Sequence, residues 1–537
     1  MFGVFAVEKG QQLSGTMKAL ILLVKAILWL VAIFQWFISL IFSLIYSGKS
    51  DKVPPITDDL LFESASALAR QIRSRKLTST DVVQRYIKRI KDVNPIINAM
   101  VKNRFRDALK EAKKVDEILD SGDIPEEYSE EKKPFLGVPV SIKECFALVG
   151  MPNNSGLEAR KQLRCHEDAP VVANIRQSGA IPLGVTNTSE LCMWLESANW
   201  VYGRTKNAYD TTRLVGGSSG GEGSLISAAG SVFGLGSDIG GSIRMPAFFN
   251  GIFGHKPTHG VVPNEGQFPN ADSAIQEYLL CTGPLCRYAD DLEPMLKVMA
   301  GDGVKKLKLG TEVDLSKIKV YSIAENGGLL ESSVEYDLRH AQKQVESYFK
   351  NDLQVPVENV VIKQLRHSLA IWASKMSEGD EKQTFCELMG SGTHLNCWLE
   401  LLKHMIGKST HTLPAICLGM VEIFGKLPND KVVRLNAIAE ELKQEINDLL
   451  GDNGILLYPT HPKVTYYHNE PLVYPFNFPY TGIMNVLGFP VTQVPLGLGS
   501  KGQPLGLQVV GGYHNDHLTL AVARQLEKAF GGWVPPS

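Results

Sequence analysis

The chain has 537 residues, 55 Lys and Arg against 57 Asp and Glu, and 44% hydrophobic residues. That length admits several average domains or one large catalytic domain with an attached segment, and the composition is that of a globular protein. A formal charge of −2, with basic residues interleaved among acidic ones, lacks the electrostatic footprint of a nucleic-acid binder, so no nucleic-acid partner is expected.

In chain order, residues 1–25 form a polar and basic lead carrying Lys9, Lys18 and Lys25. From Ala26 to Tyr46 there is no charge, and Gln35, Ser39 and Ser43 are the main polar side chains. Those 21 residues would make a helix of about 32 Å, against about 30 Å of bilayer hydrocarbon. Tyr46 stands where an interfacial anchor belongs. The run is too long for a signal-peptide core, and no small-x-small cleavage site follows it. A retained single-pass anchor is therefore expected over 26–46, in preference to a signal peptide or a buried core helix. Its orientation stays open, because Lys49 and Lys52 after the run balance the lysines before it.

Residues 47–56, closed by Pro54-Pro55, read as a short linker, and 57–537 as the catalytic unit. Val82, Val83, Tyr86, Ile87 and Ile90 share one helical face, with Ser79 and Thr80 as candidate caps. Phe105, Ala108, Leu109, Ala112, Val115 and Ile118 share another. Apolar strand candidates lie around Val138–Ile142, Ile181–Val185, Val232–Leu235 and Ile455–Tyr458. Strands alternating with helices predict an α/β layer architecture. Leu395, Trp398, Leu399, Leu402, Met405 and Ile406 recur at helical spacing, followed by Leu413, Ile416, Leu418, Met420, Ile423 and Phe424. Two readings stand for 395–426: a pair of core helices, or an apolar cap that dips into the bilayer interface. The eight cysteines (Cys145, Cys165, Cys192, Cys281, Cys286, Cys386, Cys397 and Cys417) form no CxxC pair and no zinc-spaced cluster. Free thiols, no metal and a reducing compartment are expected.

The chemistry concentrates in GGSSGGEGSLISAAGSVFGLGSDIGGSIRMPA, Gly216 to Ala247. Two Gly-Gly-Ser elements place Ser218 and Ser242 in similar settings, where glycines let the backbone approach a ligand closely. The N–H groups of Ile239, Gly240, Gly241 and Ser242 are candidates to converge as an oxyanion hole, each aimed donor contributing about 3 kcal/mol to a transition state. A phosphate loop is disfavoured because GK[ST] is missing. Gly217 to Gly221 also fits GxSxG, which would make Ser219 a nucleophile, but NAYDTTRLV before it is a poor strand. His255 and His259 lie nearby in sequence, yet neither sits in a recognisable constellation. Lys143, at the end of the alternating GVPVSIK, is the more suggestive base. A lone lysine is usually a solvated charge, but a buried one deprotonates more readily and can accept a serine proton.

These ordered motifs, with GHKPT and GFPVTQVPLG…GQPLGLQVVG further on, resemble the amidase signature family from about residue 57 to the C-terminus. The resemblance implies a large twisted mixed β-sheet surrounded by helices, with Ser242 as nucleophile, Ser218 as proton relay and Lys143 as base. It also implies a cis peptide at Gly217–Ser218, Asp238 and Arg244 fixing the loop, and Ser219 in support. NTSELCMWLES falls where members line the oxyanion region and acyl channel, which would place Cys192 beside the hole and Met193 and Leu195 toward the substrate. The anchor and the stretch PAFFNGIFGHKPTHGVVPNEGQFP narrow the resemblance to members that cleave fatty-acid amides, and the 395–426 segment falls where such members carry a membrane-facing cap. No cofactor is implied. The implied partners are a lipophilic amide and a bilayer, such as that of the endoplasmic reticulum or the surface of a lipid droplet, and a homodimer is compatible. An amidase of small polar amides, an amidotransferase-like subunit and a silent membrane scaffold are the competing readings.

Overall fold

In the computed structural model, which describes residues 15–378, 383–424 and 427–536, eleven strands form one mixed sheet. In chain order the strands are β1 Met100–Asn103, β2 Pro139–Lys143, β3 Ile181–Thr186, β4 Ala198–Asn199, β5 Gly203–Arg204, β6 Phe233–Asp238, β7 Phe253–Lys256, β8 Cys281–Cys286, β9 Lys319–Ser322, β10 Val357–Asn359, β11 Gly454–Tyr458, β12 Val491–Leu498 and β13 Pro504–Gly511. The order across the sheet is β1-β3-β2-β6-β8-β7-β12-β13-β11-β9-β10, and β4 pairs separately with β5. Strands β3, β2 and β6 are parallel neighbours, as are β11, β9 and β10, while the centre is antiparallel.

The sheet divides two apolar clusters, and strand alternation explains how. Along β11, Ile455 and Leu457 enter one cluster and Leu456 and Tyr458 the other. Along β2, Val140 and Ile142 join the first cluster, so Ser141 and Lys143 are turned to the opposite face. The register Ile142↔Leu235 and Lys143↔Thr186 sets that end of β2 beside β6, whose last residue is Asp238. The lysine and the Asp238 loop are thus neighbours because of pairing alone.

Some boundaries differ from the sequence reading. The helix bearing Val82 to Ile90 spans Ser79–Ile97, and its cap is Thr78, whose side chain accepts from Asp81 N–H. Ser79 and Thr80 are already helical. Their N–H groups go to the Asp116 carboxylate at 2.7 and 2.9 Å, so a neighbouring helix satisfies the donors that a local cap would have taken. The apolar N-terminal helix runs Gly15–Tyr46, 32 residues, about 48 Å. It begins before Ala26 because TMKALILLVK contains strong helix formers and no breaker. Residues 1–14 of the basic lead lie outside the described residues. By length and composition this is the one helix among the described residues apolar enough to cross a membrane. The 395–426 segment forms helices Cys397–Met405 and Leu413–Phe424. The first is not a core helix. It buries Cys397 and Glu400 and leaves Trp398, Leu399, Leu402, Met405 and Ile406 exposed. All eight cysteines are free.

Candidate active site

Lys143 ends β2 with no exposure at all. Its Nζ lies 2.7 Å from Ser218 Oγ and 2.9 Å from Ser237 Oγ. Both partners are hydroxyls, and no carboxylate is bonded to the amine among the described residues. The Gly217–Ser218 peptide is cis. Ser197 Oγ donates to the Gly216 and Ser218 carbonyls at 3.1 Å each and accepts Gly220 N–H at 2.9 Å, so one hydroxyl shapes the whole turn. Ser219 N–H donates to the Ser242 carbonyl at 3.2 Å, which ties the two Gly-Gly-Ser segments together.

The Ser242 loop is built on the buried Asp238–Arg244 pair. Arg244 reaches Asp238 through Nε at 3.1 Å and through a terminal nitrogen at 2.9 Å, and extends to Gln508 at 2.8 Å and Asn485 at 2.7 Å. Burial raises the Asp238 carboxyl, but Arg244, the Ile243 N–H and Asn485 outweigh it and hold the group at about 2. The same carboxylate accepts Gly241 N–H at 2.7 Å. That corrects the four-donor expectation, because Gly241 serves its own loop. It does so at φ +128°, with Thr481 packed where a side chain would stand, which only glycine tolerates. The N–H groups of Ile239, Gly240 and Ser242 have no acceptor among the described residues. Ser242 itself keeps a sliver of exposure, 8%, so its hydroxyl is reachable. No hydrogen bond joins the Ser218 and Ser242 hydroxyls among the described residues.

Ser219 is fully buried, with its hydroxyl 3.5 Å from the Ser237 carbonyl, and no strand leads directly into its turn, the nearest ending at Arg204, so the GxSxG reading fails on its required context. His255 is spent on Thr492 at 2.9 Å and Asp516 at 3.2 Å, and burial lowers it despite Asp516. His259 packs on Tyr278 with ring centroids 4.1 Å apart. Cys192 lies against the hydroxyls of Thr188 at 3.3 Å and Ser155 at 3.6 Å. The Cys145 thiol beside it, with Lys143 and those hydroxyls, lowers the Cys192 thiol, while burial raises Cys145. The Trp194–Leu195 backbone packs against Gly217, and Leu195 joins the cluster that contains Met245 and Ile239. Met193 is half-buried.

Sequence reasoning missed several contributors. Ser237 is the second hydroxyl on Lys143, and its place two residues past Leu235 gave no separate signal. Trp372 Nε1 donates to the Ile239 carbonyl at 3.0 Å and its ring packs on Phe478 at 4.7 Å. Thr481 donates to the Gly240 carbonyl at 2.7 Å. These groups arrive from helices far along the chain, with no motif near the serines, and give the loop an aromatic wall beside Ile239.

A lysine–serine contact beneath a glycine-lined serine loop supplies the parts of a serine hydrolase with a lysine base. A match to the amidase family model over residues 81–520 agrees, and the chain belongs to that family. It is 54% identical to human fatty-acid amide hydrolase 2 over 494 residues, covering 91% of this chain and 93% of that one. It is 53% identical to zebrafish (Danio rerio) fatty-acid amide hydrolase 2-A over 493 residues, covering 90% and 92%. Among solved structures, one of a fatty acid amide hydrolase superposes with a TM-score of 0.70 at 22% identity, covering 89% of this chain and 86% of that one.

Proposed function

We propose that the protein hydrolyses fatty-acid amides, primary amides and N-acylethanolamines, through an acyl-enzyme on Ser242. The observation that carries the reading is the fully buried Lys143 Nζ at 2.7 Å from Ser218 Oγ. In its neutral form Lys143 accepts the Ser218 proton as Ser218 takes the proton of Ser242, and Ser242 Oγ bonds to the amide carbon. The carbonyl oxygen, now anionic, is received by the free N–H groups of Ile239, Gly240 and Ser242. Lys143 then returns its proton through Ser218 to the nitrogen, the C–N bond breaks, and amine or ammonia leaves. Water, deprotonated by the same relay, releases the fatty acid. Cys192, Met193 and Leu195 are assigned to the walls beside this centre, and Ser219, Asp238 and Arg244 to its support.

The identity above 50% to two fatty-acid amide hydrolases and the aromatic wall at Trp372 and Phe478 support a long acyl chain. The apolar helix ending at Tyr46 is read as a membrane anchor, and the exposed apolar side of 395–426 as a cap that meets the bilayer. Turnover of oleamide, acetamide and glutamine by the purified protein tests the substrate class. Oleamide should dominate, whereas preference for acetamide or glutamine would support a polar-amide or amidotransferase-like role. Lys143→Ala, Ser218→Ala and Ser242→Ala should each lose most turnover while remaining folded. Fluorophosphonate labelling that persists in Ser242→Ala would remove Ser242 as nucleophile.

A further inference from the structure

The helix Gly15–Tyr46 does not leave the catalytic domain at Tyr46. Gln35, Ile38, Ser39, Phe42 and Tyr46 are partly buried while the residues between them are exposed, which is one helical face at i, i+3, i+4 spacing. Each polar member of that face has a partner. Gln35 Nε2 donates to the Val473 carbonyl at 2.7 Å. Ser39 Oγ donates to Glu470 Oε1 at 2.6 Å and lies 3.1 Å from the Tyr474 hydroxyl. Tyr46 stacks on Tyr467, with centroids 5.4 Å apart. Opposite this face, Trp36, Phe37, Leu40, Ile41, Leu44 and Ile45 point away from the protein.

The connection to the domain is equally constrained. Asp51 N–H donates to Thr211 Oγ1 at 2.7 Å, Thr211 N–H donates to Ser50 Oγ at 3.2 Å, and Val53 is buried. Arg89 then holds the Pro54 and Pro55 carbonyls at 2.8 and 3.2 Å. Little slack remains for a swinging tether. Gln35 and Ser39 also have a physical reason to stay seated. In hydrocarbon an unpaired amide or hydroxyl is costly, and the Val473 carbonyl, Glu470 and Tyr474 are its remedies.

We infer that the segment 467–474 is a docking seat for the anchor, so that the last three turns of the helix are a wall of the catalytic domain and fix its orientation to the bilayer. This rests on the reading of the helix as membrane-embedded. The seat also borders the catalytic turn. His468 pairs with Glu196 at 2.5 Å, and the next residue is Ser197, which shapes the Gly216–Gly220 turn.

The test uses the full chain in membranes, with a specific protease site inserted after the exposed Gly48. Gln35→Cys is paired with Val473→Cys, and separately Ser39→Cys with Tyr474→Cys, and each pair is treated with a short bismaleimide before cleavage. The anchor fragment should remain joined to the catalytic fragment in both paired variants and separate in every single variant. Separation in both pairs, with fluorophosphonate labelling intact and the anchor fragment still in the carbonate-washed membrane, overturns the seat. Loss of the uncut protein from washed membranes would instead strike the reading of the helix as embedded.

Discussion

At the scale of single residues, the buried carboxyl bonded to Ser141 of β2 makes the stability of the fold depend on pH. Glu222 accepts the Ser141 and Thr186 hydroxyls at 2.5 and 2.7 Å, and β6 makes room for its carboxyl at Gly234. Burial pushes it up from 4.5 to about 7, against the pull of those hydroxyls and Lys143. The native state therefore binds this proton more tightly than the unfolded chain does. Its stabilising effect is complete below about 4.5 and is lost as pH rises through about 7. The loss is on the order of 3 kcal/mol. Glu222→Gln, which keeps a side chain able to bond both hydroxyls, should flatten that part of the profile. Thermal midpoints of the two proteins measured from pH 5 to pH 8 check this, and parallel curves would mean that the carboxyl is ionised throughout.

At the scale of elements, the loop between β6 and the helix Arg244–Phe249 depends on a pair that neither element could bury alone. Arg244 and Asp238 are both without exposure, and removing one partner of such a pair costs about 3–5 kcal/mol because the other charge stays behind. Arg244→Met should destabilise by that amount and abolish fluorophosphonate labelling of Ser242. Urea denaturation and gel labelling measure the two effects, and a stable, fully labelled variant would show that the loop holds itself. Much of this region is legible in the sequence, because its parts are local. The Gly-Gly-Ser pairs, the Lys143 strand and the Asp238–Arg244 spacing all lie within short stretches whose alternation or turn chemistry is specific. Trp372, Thr481, Asn485 and Gln508 are not legible, since only the tertiary fold brings β13 and the late helices against the loop and helix that follow β6. The role of Asp116 was hidden for the same reason: Thr78 caps the helix locally one residue before the expected caps, and a carboxylate from another helix takes the N–H groups of Ser79 and Thr80. Gly241 misled because a run of successive N–H groups does not reveal which one its own loop consumes.

At the scale of the whole molecule, one short helix carries apolar surface that a globular protein would usually hide. The helix Cys397–Met405 exposes Trp398, Leu399, Leu402 and Met405, the last at 75%. Trp200, itself exposed, donates to the His411 carbonyl at 2.9 Å between the helices Cys397–Met405 and Leu413–Phe424. Its hairpin continues to Arg204, which reaches Asn469 at 2.7 Å in the segment proposed to seat the N-terminal helix. The helix Cys397–Met405, Trp200 and the proposed seat are thereby linked through hydrogen bonds, and an exposed apolar face such as that of the helix marks an interaction surface. Trp398→Ser, Leu402→Ser and Met405→Ser together remove apolar area that the fold does not use, so thermal stability should hold. Even partial burial of three such side chains in a bilayer is worth more than 1.4 kcal/mol, so their loss should cut turnover of a long-chain amide presented in vesicles by about tenfold. Turnover of a short water-soluble amide should not change, because the catalytic loops are untouched. Equal losses on both substrates would assign the cap to the integrity of the site, and no loss on either would leave the bilayer in contact with the anchor alone.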